Sequence, residues 1–284
     1  MNQLEAIIET LEIGALIRTS PVSGGSINDA FQIETTQGRF FVKLNDASRF
    51  PNMFEAEKRG LELLGQSSFS VPEPLNVGLL DDTQFILIDW VEKGVPKSGF
   101  WDEFGRHLAA LHSIASEHFG LNHSNYIGSL PQSNSEHKTW EEFYCEERIL
   151  PQMRLAEKSG QLTSSMKRGF DALFAELQNI FPMEKPSLLH GDLWSGNMMV
   201  AQDGSPCIFD PAVYYGHREM DLAMMALFGG FGDDWIAAYN EVYPLENGWK
   251  DRVPIGQLYP LMVHVNLFGG GYGRSVESIL QKFI

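Results

Sequence analysis

One stretch constrains this chain more than any other: Leu189-His190-Gly191-Asp192-Leu193-Trp194-Ser195-Gly196-Asn197, followed after a short gap by Ile208-Phe209-Asp210-Pro211. An Asp, an Asn five positions on and a second Asp beyond one hairpin is the layout of a catalytic loop and metal-binding segment. Phosphoryl transfer from a nucleotide needs an oxygen base beside the acceptor hydroxyl and hard oxygen ligands for magnesium. Asp192 suits the base, and Asn197 with Asp210 suits the metal. Asp and Asn also gather in turns because they tolerate turn geometry, so none of the three carries this reading alone. Together, at this spacing and between apolar strand residues, they read as a phosphotransferase that uses ATP and Mg2+.

Composition sets limits on that reading. The 284 residues suit one large domain or two lobes, and 43% hydrophobic content is ample for a core. There is no long uncharged apolar run, so no transmembrane helix is expected. Met1-Asn2-Gln3-Leu4-Glu5 lacks the basic and apolar regions of a secretory signal. Cys145 and Cys207 are too few for a disulfide framework and suit a reducing, cytoplasmic setting. A formal charge of -16 argues against nucleic acid or an anionic membrane as a partner. ATP is itself an anion, so its site has to be locally electropositive, through a lysine, magnesium and backbone amides.

The apolar spacing predicts a helix over 4–13 and two strands at 31–34 and 39–43, joined by a turn at Gln37-Gly38. A helix follows over 53–64, with Phe54, Leu61 and Leu64 inward, and a buried strand over 84–88. The Gly/Pro/Lys segment Lys93 to Pro96 reads as a lobe boundary, giving a nucleotide-binding lobe at 1–91 and a catalytic, substrate-binding lobe at 92–284. Beyond it the pattern is mostly helical: 101–114, 139–155, 164–180, 217–227, 234–242 and 255 onward. The expected fold is therefore α+β, with a small β-rich N-terminal lobe and a larger, mainly helical C-terminal lobe of the protein-kinase-like type.

The remaining candidates follow from position and chemistry. Ser23-Gly24-Gly25-Ser26 precedes the first of these strands, and adjacent glycines let backbone amides approach phosphates; a plain hairpin turn would use the same residues. Lys43 ends a run of apolar strand residues, and Glu57 on the next helix is its expected partner, an arrangement that aims an ammonium at nucleotide phosphates. Glu55 lies about 200° around that helix from Glu57, so both cannot face one cleft. Asp89-Trp90-Val91 falls where an adenine ring would lie, read by backbone groups. His107/His112 and His118/His123 are spaced five apart, unlike zinc pairs on a helix, and read as ordinary structural histidines. His190 reads as a brace for the loop, and Cys207 as a small core residue. His217 and Asp221 would share a helix face, with Asp221 supporting the catalytic loop from below.

These residues together resemble the fructosamine-3-kinase (ketosamine kinase) family, within the aminoglycoside and choline phosphotransferase superfamily. The resemblance is carried by Phe41-Val42-Lys43, Met53-Phe54-Glu55-Ala56-Glu57, Asn125-Tyr126-Ile127-Gly128, Pro131-Gln132-Ser133-Asn134, Leu189 to Asn197, Phe209-Asp210-Pro211-Ala212, Tyr215-Gly216-His217-Arg218-Glu219 and Phe228-Gly229-Gly230-Phe231. It implies Asp192 as base, Asn197 and Asp210 on magnesium, and Lys43 with Glu57 at the phosphates. It further implies Trp194 and His217 beside a sugar-amine pocket, and a free or protein-bound ketosamine as substrate. Some members carry a redox-active cysteine in the glycine-rich loop; here Ser26 stands there, so disulfide dimerisation through that loop is not implied. An aminoglycoside- or choline-type kinase, and a nucleotide-binding pseudokinase, remain as alternatives.

Overall fold

Alternation along one strand sets up the first part of the molecule. In the computed structural model, which describes residues 3–22 and 27–284, Val42 and Leu44 of β3 (Gly38–Asp46) are buried against α1 (Gln3–Thr10), with Leu4, Ile7 and Ile8. Lys43, between them, points to the opposite face, as the two-residue period of a strand requires. Around β3 lie β1 (Leu16–Pro21), β2 (Asp29–Thr35), β4 (Pro74–Leu80) and β5 (Thr83–Asp89), all paired antiparallel in the order β1-β2-β3-β5-β4. The helix α2 (Met53–Leu64) connects β3 to β4.

The chain separates into two compact units, Met1–Phe100 with Met199–Asp210, and Trp101–Met198 with Pro211–Ile284. The first unit runs past residue 91 because 93–97 is stitched to the hairpin of β9 (Met198–Val200) and β10 (Pro206–Ile208). Gly94 N donates to Val200 O at 2.9 Å, Lys93 bridges Ala201, and Lys97 N donates to Gly204 O. Cys207 on β10 is fully buried and bridges Ser70.

The second unit is mainly helical. Its elements in chain order are α3 (Phe100–His112), β6 (Asn125–Ile127), β7 (Leu130–Gln132), α4 (Trp140–Phe143), α5 (Leu150–Lys158), α6 (Ser164–Glu176), β8 (Ser187–Leu189) and β11 (Tyr214–Gly216). There follow α7 (Glu219–Phe228), α8 (Trp235–Val242), α9 (Trp249–Gly256), α10 (Leu258–Phe268) and α11 (Tyr272–Leu280). One core joins Phe143, Tyr144, Phe170, Leu173, Leu189, Tyr214, Leu258, Met262 and Val276. β6 pairs β7 and β8 pairs β11, both antiparallel. Among the described residues no helix is long and apolar enough to cross a membrane.

The expected helix over 139–155 is broken by a π-helical stretch, Tyr144–Ile149. Pro151 has no N–H to give the Glu147 carbonyl in an α ladder. Glu147 O instead accepts from Arg148 Nη1 at 3.0 Å, while Leu150 N reaches back to Cys145 O.

α3 and α8 cross where a side chain has no room: a methyl group on Gly105 would lie 2.1 Å from the Trp235 carbonyl oxygen. Gly105→Ala should therefore lower the melting temperature, by the equivalent of about 1–3 kcal/mol for overpacking. A thermal melt matching the wild type would refute this close approach.

Candidate active site

In the first unit a buried cation holds two carboxylates. Lys43 Nζ donates to Glu57 Oε1 at 2.8 Å and also to Asp210 Oδ1. The side chains of Lys43 and Glu57 are 8% and 12% exposed, whereas that of Asp210 is 45% exposed. Burial works against the Lys43 ammonium, but Asp210 and Glu57 outweigh it and its pKa rises. Burial lifts the Glu57 carboxyl above the usual range, with Lys43 opposing. Glu55 is exposed, so of the two acids on α2 it is Glu57 that meets the lysine. Asp210 sits at φ 56, a left-handed conformation that Asp tolerates better than most residues.

Asn45, which no sequence signal marked, ties this corner together. Two positions along β3 from Lys43, its Nδ2 donates to Asn28 Oδ1 at 2.8 Å and to Met53 Sδ at the start of α2. Gly24, Gly25 and Ser26 lie outside the described residues. Asp89 ends β5, and its carboxylate accepts the Glu73 N–H, so that side chain fastens β4 to β5. Trp90 packs tilted on Phe41 at 6.5 Å, and Val91 is half-buried.

In the second unit, β8 delivers the chain into a loop hung from one buried acid. Asp221, 1% exposed on α7, accepts His190 N on Oδ2 at 2.8 Å and Gly191 N on Oδ1 at 3.0 Å. Gly191 has φ 81, and a Cβ there would stand 2.1 Å from Ala212 O, so glycine is required. His190 is fully buried and its Nδ1 accepts Asp192 N at 3.2 Å, the bracing role expected of it. Asn197 Nδ2 donates to both Asp192 O, at 2.9 Å, and Asp192 Oδ2, at 3.1 Å. Two backbone bonds, Trp194 N to Asp192 O and Asn197 N to Trp194 O, tighten the turn between them.

Trp194 is 37% exposed. Its indole lies over Gly196, where a Cβ would come 2.1 Å from the ring, and meets Phe228 edge-on at 6.0 Å. His217 differs from the expectation of a pocket-lining side chain. It precedes α7 rather than riding on it, is 1% exposed, and packs among Phe181 and Trp140 with Nε2 against Pro182 O. An enclosed ring has no face to offer a substrate. His112 is also structural, bonded to Tyr239 Oη and to Asp221.

Comparison with known proteins places this geometry in context. The profile of the fructosamine kinase family matches residues 4–284. An Enterococcus faecium protein provisionally described as a ketoamine kinase is 37% identical over 284 residues, covering 99% of each chain. A chloroplastic protein-ribulosamine 3-kinase of Arabidopsis thaliana is 37% identical, covering 95% of this chain and 83% of its own. A Thermobifida fusca protein, provisionally assigned as a fructosamine-3-kinase, has a crystal structure that superposes with a TM-score of 0.88 at 37% identity, covering 99% and 98%. An aminoglycoside phosphotransferase crystallised with AMP-PNP and hygromycin B shares the fold, with a TM-score of 0.68 at 14% identity over 99% and 98%.

The enclosed imidazole gives this unit a pH signature. Burial is the main cause that drives the His217 pKa down to about 4, with Glu184 opposing, so the folded state holds it neutral. Its unfolded form binds a proton below about 6.5. The stability it contributes is therefore full above that pH and is lost as pH falls toward 4, at about 1.4 kcal/mol per pKa unit. His217→Phe should lose less melting temperature than the wild type between pH 7.5 and 4.5; equal losses would place the acid sensitivity elsewhere.

Proposed function

This chain belongs to the fructosamine kinase family, and from that premise we propose that it transfers the γ-phosphoryl group of ATP to a hydroxyl of a ketosamine sugar. It is a phosphotransferase of kinase-like fold acting on a sugar hydroxyl. In the proposal Asp192 is the base, and Lys43, oriented by Glu57, serves the nucleotide phosphates. Gly24, Gly25 and Ser26 with the peptide groups of Asp89, Trp90 and Val91 complete the nucleotide contacts. The product would begin the removal of sugars from amines, a deglycation role in the cytoplasm.

The observation that carries this reading is the clamp of Asn197 on Asp192, through both the backbone and the carboxylate oxygen. Transfer through a loose transition state asks a protein for position and charge neutralisation rather than covalent chemistry. With its amide nitrogen committed to Asp192, Asn197 has its orientation fixed, and a carboxylate held this way is set to accept a hydroxyl proton as the bond forms. The donor set fits a divalent cation of the hard type: an amide oxygen from Asn197 and the half-exposed carboxylate of Asp210. Magnesium bound by these two residues would neutralise charge on the phosphates.

The family and the charge of the chain support this substrate class. A ketosamine carries a protonatable amine, which suits a chain of net charge -16 better than an anionic acceptor would. The exposed indole of Trp194, two residues beyond Asp192, offers a flat wall for the carbon face of a sugar. His217 takes no part in this pocket.

Incubation with ATP and magnesium should convert ribulosamine or fructosamine conjugates to phosphates, and Asp192→Asn should abolish the product. Efficient turnover of choline or an aminoglycoside with every ketosamine inert would sink the substrate assignment and leave only the kinase chemistry. Asp210→Ala should lose several kcal/mol of transition-state stabilisation, roughly a thousandfold or more in kcat. Full turnover by that variant at saturating magnesium would remove Asp210 from the metal set.

A further inference from the structure

The hairpin of β6 and β7 holds a set of buried polar side chains that the scheme above leaves unused. Asn125 and Gln132 face each other across it and are 6% and 1% exposed. Gln132 Nε2 donates to Asn125 Oδ1 at 2.7 Å and to Ala212 O at 3.1 Å, and Asn125 Nδ2 donates to Val213 O at 2.8 Å. Tyr259 Oη donates to Gln132 Oε1 at 2.6 Å, which fixes which end of that amide faces Ala212. Asn134 Nδ2 adds a second donor to Asn125 Oδ1 at 3.0 Å, and Arg148 Nη2 in turn donates to Asn134 Oδ1 at 2.7 Å.

The chain of amides ends on two carbonyls, those of Ala212 and Val213, in the short stretch that leaves Asp210 before β11 begins. Within that stretch Ala212 N donates to His190 O at 2.9 Å, two residues before Asp192. One peptide segment is therefore held on one side by the hairpin and on the other by the loop that carries the proposed base. Apolar side chains would close such a core as well, whereas matched buried amides specify a single backbone arrangement.

We propose that Asn125 and Gln132 are positioning residues for phosphoryl transfer, their side-chain amides fixing the peptides of Ala212 and Val213 against the loop bearing Asp192. This rests on the roles given to Asp192 and Asp210 above. Neither amide touches a reacting atom; both act through the backbone, where a misplacement of about 1 Å can cost on the order of 100-fold in rate.

The test compares Gln132→Glu, which turns both donors into acceptors, with Tyr259→Phe, which removes one hydroxyl at nearly constant volume. Leu173→Ala, a core truncation in α6 away from the network, serves as the control for lost stability. Both network variants should speed hydrogen–deuterium exchange in the peptide spanning 210–216. They should also lower kcat for a ketosamine by at least about tenfold, with KM for the sugar near the wild-type value. Leu173→Ala should lower the melting temperature and change neither. Wild-type exchange and kcat in Tyr259→Phe would overturn the proposal, as would an equal loss of kcat in Leu173→Ala. Should Gln132→Glu fail to fold, Tyr259→Phe decides alone. If the wild type turned over no ketosamine at all, the functional reading would fall, while the exchange measurements would still decide whether the amides hold 211–213.

Discussion

A single carboxylate shielded from water sets the shape of the loop that carries the proposed base. Burying Asp221 would be costly if its oxygens lacked donors. Each oxygen takes one backbone N–H, from His190 and from Gly191, and His112 lies 3.3 Å from Oδ2. Both bonds act on peptide groups, so they fix the path of the chain itself. The next residue is Asp192. That residue inherits the path: its backbone N–H is taken by His190 Nδ1, and its carboxylate by the Asn197 amide.

The same economy governs the cationic corner of the other unit. The chain as a whole is strongly acidic, yet Lys43 is withdrawn from water between Glu57 and Asp210. Such a group keeps its charge because two acids stand against it, and its long stem is held by strand packing instead of by solvent. The asymmetry of exposure is informative: Glu57 is enclosed with the lysine, while Asp210 keeps almost half its side chain open. In the proposed scheme the enclosed acid orients the cation, and the open one is left for the metal.

Legibility in the sequence followed burial and locality. The helix over 53–64 was readable in full because its buried face has a clear 3.6-residue period. β1 and β4 were not foreseen, since both are sheet edges with few buried residues, and β4 opens on Pro74, tolerable only at an edge. Glu57 could be preferred to Glu55 from helix geometry alone. The four-residue spacing of His217 and Asp221 suggests a shared helix face, but α7 begins only at Glu219, so His217 lies outside it. The bonds from Asn125 and Gln132 to residues 212 and 213 span some eighty positions or more in sequence, and no local pattern announces partners so far apart.

The hairpin at 199–210 gathers with the first hundred residues even though about a hundred others intervene. A chain emerging from a ribosome, N-terminus first, can pair its early strands at once, but it must wait for Ile208 and Asp210 before that unit has all its parts. Until then Lys43 lacks one of its two acids, and Ser70 lacks the strand it bridges. Nascent protein thus carries an incomplete first unit through most of translation, and a truncation after residue 91 would reproduce that unfinished state rather than an isolated lobe.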